Sequence, residues 1–198
     1  PERRRAPTDD LLSVWVHADI DGRKLRDDEV VSEALLVLNG GAETTRAVIG
    51  ATVLHLAAFP DERAKLVGHP ERMPVAVEEF IRYVTPILNM KRTVVDAHEL
   101  HGQRLEEGAE LLLMYASANR DPRHFDRPDL FDVTRRPNQH LAFGFGTHFC
   151  LGASVARLEI RVMFEELLRR IPDFALAPGA APAYVPSVFT RGLDAVPI

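Results

Sequence analysis

The sequence predicts a mainly α protein with small β-sheets, and three observations carry that expectation. Residues 27–59 and 153–170 repeat their apolar positions at helical spacing. Around residues 90–114 the period shortens toward two, over short runs separated by glycine. Residues 121–149, rich in Pro, Asp, Arg and Asn, carry no period at all. An irregular stretch of that length inside a folded chain is uncommon and usually functional.

The elements follow in order. Residues 9–18 read as a short helix with acidic residues at its positive end. Asp21-Gly22 signals a turn. A long helix is expected from Asp27 to Phe59, acidic at its start and stopped by Pro60. It is apolar on several sides (Val30, Val31, Leu35, Leu36, Val48, Leu54), a pattern that belongs in the middle of a protein. Shorter helices are expected near 61–68 and 74–83, then strands at Met90–Val95, Glu99–His101 and Ala109–Met114. Gly102 and Glu107-Gly108 mark turns, and 115–120 returns to helix before Pro122. A strong helix runs from Ala153 to Arg170, ended by Pro172, and the tail is Pro-punctuated with strand-like pieces.

Composition narrows the function. The 198 residues suit one domain or a large piece of a bigger one, and 46% hydrophobic with 27% charged residues suits a packed core. With 24 basic and 29 acidic side chains the net charge is −5, which removes the electrostatic case for a nucleic-acid partner. A single cysteine, Cys150, excludes an internal disulfide and any multi-cysteine metal cluster within the chain. The longest apolar runs, Ala34–Leu38 and Leu111–Ala116, are too short to span a bilayer, and no secretory leader pattern opens the chain. The expected location is the cytoplasm. The chain begins without Met in text that reads as mid-protein (PERRRAPTDDLLS), so a fragment is expected.

The chemistry concentrates in residues 143–152, FGFGTHFCLG. The thiol ends a glycine-containing loop just before a helix, where N–H groups and the positive end of the helix dipole favour a thiolate. Gly144, Gly146 and Gly152 let backbone approach a flat ligand, and Phe143, Phe145 and Phe149 could exclude water. A dry thiolate on a rigid loop suits haem iron; the other reading is a buried, inert free cysteine.

The segment resembles the cytochrome P450 haem-binding signature, Phe-Gly-x-Gly-x-His-x-Cys-x-Gly, at Phe143, Gly144, Gly146, His148, Cys150 and Gly152. Six matches in one frame arise by chance at ~10⁻⁸. Three further stretches resemble the family in order. Residues 40–46, GGAETTR, are similar to the oxygen-binding helix of bacterial members, with Glu43 and Thr44 as the implied proton-delivery pair. A Thr44 hydroxyl can bond the Gly40 carbonyl and loosen the helix locally. Without the resemblance, an E-T-T run in a helix is more often structural. Glu79-Phe80-Ile81-Arg82 matches the family's Glu-x-x-Arg, whose spacing puts both charges on one helix face. The resemblance implies a buried structural pair, where an isolated pair would read as solvated. Arg92 matches a propionate-binding arginine and His148 a second propionate partner, with an ordinary solvated strand arginine as the other reading of Arg92.

One position departs from the family. Leu130 stands where many members carry a third, arginine member of the Glu/Arg network; Arg135 is the first substitute, with Arg127 and Arg136 behind it.

Taken together, the resemblance implies that residues 1–198 are the C-terminal haem-thiolate part of a P450 domain whose N-terminal half is absent. It implies a monooxygenase using haem b, O2 and two electrons from NAD(P)H through a ferredoxin and its reductase. By family position, Val37, Leu38, Gly41, Ile87, Leu88, Asn89, Val188 and Phe189 line the substrate pocket, although plain core packing accounts for any one of them. Their apolar character implies a lipophilic substrate, and the wording looks most like actinobacterial members that oxidise sterol side chains. Arg157, Arg161, Arg169 and Arg170 either meet an acidic ferredoxin or form a solvated helix face. The isolated chain is expected to pair with its missing N-terminal half or to self-associate. The competing readings are a haem-free, non-catalytic helical fragment that self-associates, and a haem-thiolate isomerase or dehydratase, which the Glu43–Thr44 pair disfavours.

Overall fold

The computed structural model describes residues 2–198, and the chain divides between Glu43 and Thr44 into two units. In the first, a short helix α1 (Glu2–Arg5) precedes α2 (Leu11–His17). Asp10 caps α2 by accepting from Ser13 N at 2.7 Å, and it also takes bonds from Thr8 Oγ1 and Arg3 Nε. Arg4 reaches the Leu25 carbonyl at 3.0 Å and Asp27 at 2.8 Å. The Asp21-Gly22 turn has positive φ at both residues, which joins β1 (Asp19–Ile20) and β2 (Arg23–Lys24) as a minimal hairpin. α1 and this hairpin were not expected from the sequence, because elements of two to four residues carry no measurable period.

Helix α3 (Asp27–Ala58) contains the division between the units. Its first half exposes Val31, Leu35, Leu36 and Leu38, although the sequence pattern asks for burial on several sides. Its second half buries Val48, Ala51, Val53 and Leu56 in the core of the second unit.

That second unit is built on α5. Helix α4 (Pro60–Gly68) starts on a proline whose missing N–H costs nothing there, and a 3-10 turn (Pro70–Arg72) leads into α5 (Met73–Val84). Met73, Ala76, Val77, Phe80, Ile81 and Val84 bury one stripe of α5. Phe80 packs on Phe164 of α7 (Ala153–Arg170) with ring centroids 4.9 Å apart, and on Phe131 at 6.0 Å. Thr85 ends α5 at φ 46, and its N–H bonds back to the Ile81 carbonyl.

Two antiparallel pairs follow. β3 (Met90–Thr93) pairs with β6 (Glu110–Leu113), setting Arg92 opposite Leu111, and β4 (His98–Leu100) pairs with β5 (Gln103–Leu105). β5 falls between the expected turns at Gly102 and Glu107-Gly108, a stretch to which the sequence assigns no element. α6 (Tyr115–Ala118) is one turn long. The tail forms isolated bridges rather than strands, Ile87 with Thr190 and Tyr184 with Leu193. Among the described residues no helix is long and apolar enough to cross a membrane.

Candidate functional site

The irregular stretch 121–149 is held by a buried ionic network centred on Glu79. Glu79 and Arg82 are both fully buried one turn apart on α5. Arg82 donates from Nε and Nη2 to the two Glu79 oxygens at 2.7 and 2.8 Å. Its remaining donors go to the carbonyls of Asn119 (2.7 Å), Pro128 (2.9 Å) and Leu130 (3.2 Å). Arg135 adds a second guanidinium, 3.1 Å from Glu79 Oε2, and bonds the Asp126, Arg127 and Leu130 carbonyls. Asn138 Nδ2 and the Asp132 N–H complete the carboxylate's shell at 3.1 and 3.0 Å. These hydrogen bonds offset the hydration that the Glu79 carboxyl loses on burial. Where the family pattern wants an arginine side chain at position 130, this chain uses the Leu130 carbonyl and draws the guanidinium from Arg135.

Asn119 was missed from sequence. It is fully buried and bridges two segments: Nδ2 donates to Thr85 Oγ1 at 2.9 Å, and Oδ1 accepts from Leu141 N at 2.7 Å. That second bond fixes the chain two residues before the Phe143 loop. A lone Asn carries no signal in a polar stretch, so only the fold discloses its role.

The loop itself is shaped by Gly144 and Gly146, at φ 73 and 71. It closes through Phe149 N to the Gly146 carbonyl (3.0 Å) and Cys150 N to the Phe143 carbonyl (2.9 Å). Gly152 caps α7, which starts at Ala153. Cys150 is half-buried with a free thiol. Of the three phenylalanines expected to exclude water, only Phe143 packs against the core; Phe145 is 86% exposed and Phe149 is 52% exposed, and neighbouring Leu151 is 93% exposed.

A second charged cluster stands beside this loop. Glu78 takes a bidentate bond from Arg157 of α7 at 2.7 and 2.9 Å, and His140 Nε2 lies 3.2 Å from Glu78 Oε2. Burial works against the charge, but contact with His140 and Arg157 outweighs it and holds the Glu78 carboxyl at about 2. The Arg157 guanidinium lies over the Phe143 ring, 4.6 Å from its centroid.

The other expected residues are distributed as follows. Glu43 is exposed and Thr44 half-buried on α3, while Val37, Leu38 and Gly41 are exposed on its first half. Ile87, Leu88, Asn89, Val188 and Phe189 do come together: Leu88 N donates to the Phe189 carbonyl at 2.9 Å, and Asn89 Nδ2 to the Val188 carbonyl at 2.8 Å. Arg161 pairs with Glu165, and Arg169 and Arg170 with Glu166, so these helix-face arginines are largely neutralised by their own carboxylates.

The donor set fits a flat, carboxylate-bearing group. Cys150 is half-buried with a free thiol, and the neighbouring Phe145, Phe149 and Leu151 along the loop are exposed. Among the described residues neither Arg92, whose Nη1 bonds only the Lys91 carbonyl, nor exposed His148 has a carboxylate partner. A haem would thus be held by Cys150 sulfur, packed by Phe143, and met at its propionates by Arg92 and His148.

Comparison with known proteins shows what the chain is similar to. The chain is 44% identical over 197 residues to a steroid C26-monooxygenase of Mycolicibacterium smegmatis, covering 100% of this chain and 49% of that protein. It is 41% identical over 199 residues to a methyl-branched lipid omega-hydroxylase of Mycobacterium bovis, covering 100% of this chain and 46% of that protein. The crystal structure of CYP109E1 from Bacillus megaterium in complex with testosterone superposes with a TM-score of 0.92 at 36% identity, over 98% of this chain and 54% of that one. The chain therefore spans about half the length of the relatives it matches. The sequence model of the cytochrome P450 family matches residues 71–178, the span that holds the Glu79 network and the Cys150 loop, and the chain belongs to that family.

Proposed function

We propose that the intact protein is a haem-thiolate monooxygenase that hydroxylates a lipophilic small molecule, with a steroid side chain as the favoured substrate. The observation that carries the reading is the Cys150 loop, whose free thiol sits on a turn closed through the Cys150–Phe143 backbone bond and anchored by Asn119 at Leu141. Relatives that oxidise steroids and branched lipids, and the apolar run of Ile87, Leu88, Val188 and Phe189, support the substrate class.

Haem b, when bound, supplies O2 activation with two electrons, delivered from NAD(P)H through a ferredoxin and its reductase. The chain's own residues do the rest. Cys150 contributes a thiolate ligand, and Arg92 and His148 orient the group through its propionates. Phe143 packs against it. Glu43 and Thr44 on α3 would hold and relay protons, and Ile87, Leu88, Asn89, Val188 and Phe189, which come together in the second unit, would shape one wall of the substrate cavity.

The test is the absorption spectrum of the purified chain with and without added haem. A red-shifted Soret band of the ferrous carbonyl thiolate form is expected, and it is lost in Cys150→Ser with the fold retained. Persistence of that band in the serine variant overturns the ligand assignment. In the intact enzyme, Thr44→Ala is expected to uncouple electron consumption from product; unchanged coupling removes Thr44 from proton delivery. A second reading, a haem-free helical fragment that self-associates, draws on the exposed Val31, Leu35, Leu36 and Leu38. An unchanged spectrum after haem incubation, with a stable oligomer by light scattering, decides for it.

A further inference from the structure

The Glu79 network explains how the irregular stretch is anchored, but not what holds the cysteine loop against α7. Three observations on the adjoining residue, Glu78, bear on that. Its carboxylate takes both Nε and Nη2 of Arg157, a residue two turns into α7 from Cys150. Its Oε2 also faces His140, whose side chain is 2% exposed and whose Nδ1 accepts from Ala142 N at 3.3 Å. With Nδ1 accepting from Ala142, Nε2 is the ring nitrogen that faces the carboxylate. That Nε2 has no well-aligned hydrogen bond, so it depends on the Glu78 charge for compensation.

The geometry then closes on the loop. The Arg157 guanidinium, fixed by Glu78, covers the Phe143 ring at 4.6 Å, and the His140 ring meets the same Phe143 at 5.7 Å. Phe143 is the residue whose carbonyl receives the Cys150 N–H. We infer that Glu78 is a positioning residue for the cysteine loop: with Arg157 and His140 it forms a bracket that holds Phe143 through both of these partners and so fixes the Cys150 backbone before any ligand arrives. The charge on Glu78, held far below the ordinary carboxylate range, keeps the bracket engaged at neutral pH. The inference deepens the haem-thiolate reading by naming what pre-organises its ligand, yet the bracket itself is a property of the protein alone.

Amide hydrogen exchange on the full chain without haem reads the bracket directly. Glu78→Gln is expected to speed exchange of the Cys150 amide about tenfold, while the Phe80 and Ile81 amides of α5 stay unchanged. Arg157→Gln does the same, and the double variant adds little, because both substitutions open one device. Arg157→Lys does not restore protection, since an ammonium lacks the planar fork that spans Glu78 and covers the ring. Unchanged Cys150 exchange, equal acceleration throughout α5, or effects that multiply in the double variant would each overturn the proposal. Should Glu78→Gln fail to fold, the Arg157 variants read the same bracket from its other side. After haem loading, the variants are expected to show a mixture of thiolate and non-thiolate carbonyl bands where the parent shows the thiolate band. A parent chain with no thiolate band, together with an intact exchange pattern, defeats the haem reading and leaves the bracket standing.

Discussion

Arg135 Nε lies 3.1 Å from Glu79 Oε2, so a guanidinium from the irregular stretch takes the place that Leu130 vacates in the family pattern. The carboxylate is thereby shared between two arginines that between them also satisfy the carbonyls of Asn119, Asp126, Arg127, Pro128 and Leu130. Removing the carboxylate strands both cations. Glu79→Ala is expected to cost about 3–5 kcal/mol in urea unfolding, the range for breaking a buried pair from one side. Arg135→Met is expected to cost less, about 2 kcal/mol, because Arg82 still neutralises Glu79 while three carbonyls lose a donor. Arg135→Lys should recover little of that loss, since one ammonium cannot serve Glu79 and three separated carbonyls together.

Asn119 permits a local prediction of a different kind. Its amide ties Thr85, at the end of α5, to Leu141, at the entrance of the cysteine loop. Asn119→Ala leaves the Leu141 N–H without its partner and takes one donor from the Thr85 hydroxyl, which keeps its bond to the Arg82 carbonyl, at about 1–3 kcal/mol. Asn119→Asp keeps an acceptor for Leu141 but offers Thr85 no N–H donor and buries a charge, so it is expected to be no better than alanine. The Leu141 amide, followed by hydrogen exchange, should lose protection in the alanine variant ahead of the β3–β6 pair.

The helices α3, α5 and α7 were legible because each repeats its apolar positions over three turns or more. The cysteine loop was legible because Gly, His and Cys at fixed spacing are rare. What the sequence hid falls into two kinds. Short elements such as α1, β2 and β5 hold too few residues to show a period. The network partners Asn119, Asn138 and His140, and the Glu78–Arg157 pair, join positions 22 to 79 residues apart, and a polar residue in a polar stretch does not announce its partner. The exposed Leu35, Leu36 and Leu38 on the first half of α3 match the expectation that this helix, apolar on several sides, leaves faces uncovered in the isolated chain.

His55 supplies the pH dependence. It sits on α3 against the Tyr83 edge at 4.9 Å and the Phe131 ring at 5.6 Å. Burial, with the nearby charges of Arg120 and Arg191, pushes it down to about 4 from an ordinary 6.5. The folded state therefore keeps the ring neutral while the unfolded chain takes up a proton near 6.5. The stability contribution is complete above that pH and falls as pH drops from 6.5 toward 4, by on the order of 3 kcal/mol in total. Urea midpoints measured across that window should decline, and His55→Phe should flatten this part of the profile. A parallel decline in both proteins would assign the effect to other groups.

Two glycines of the cysteine loop should respond differently to alanine. Gly144 has φ 73, and a Cβ there would stand 3.4 Å from the His148 carbonyl oxygen. Gly144→Ala combines left-handed strain with a close approach to backbone, so about 1–2 kcal/mol of destabilisation is expected, concentrated in the loop. Gly152 has an ordinary φ of −84, and a Cβ there meets nothing within 4 Å. Without haem, Gly152→Ala is thus expected to stay within about 0.5 kcal/mol of the parent in unfolding experiments. If a flat ligand lies over this end of the loop, the added methyl should show itself only there, as weaker haem uptake in a titration followed at the Soret band. Equal haem uptake by parent and Gly152→Ala would mean that the ligand does not approach Gly152, whatever the fate of Cys150.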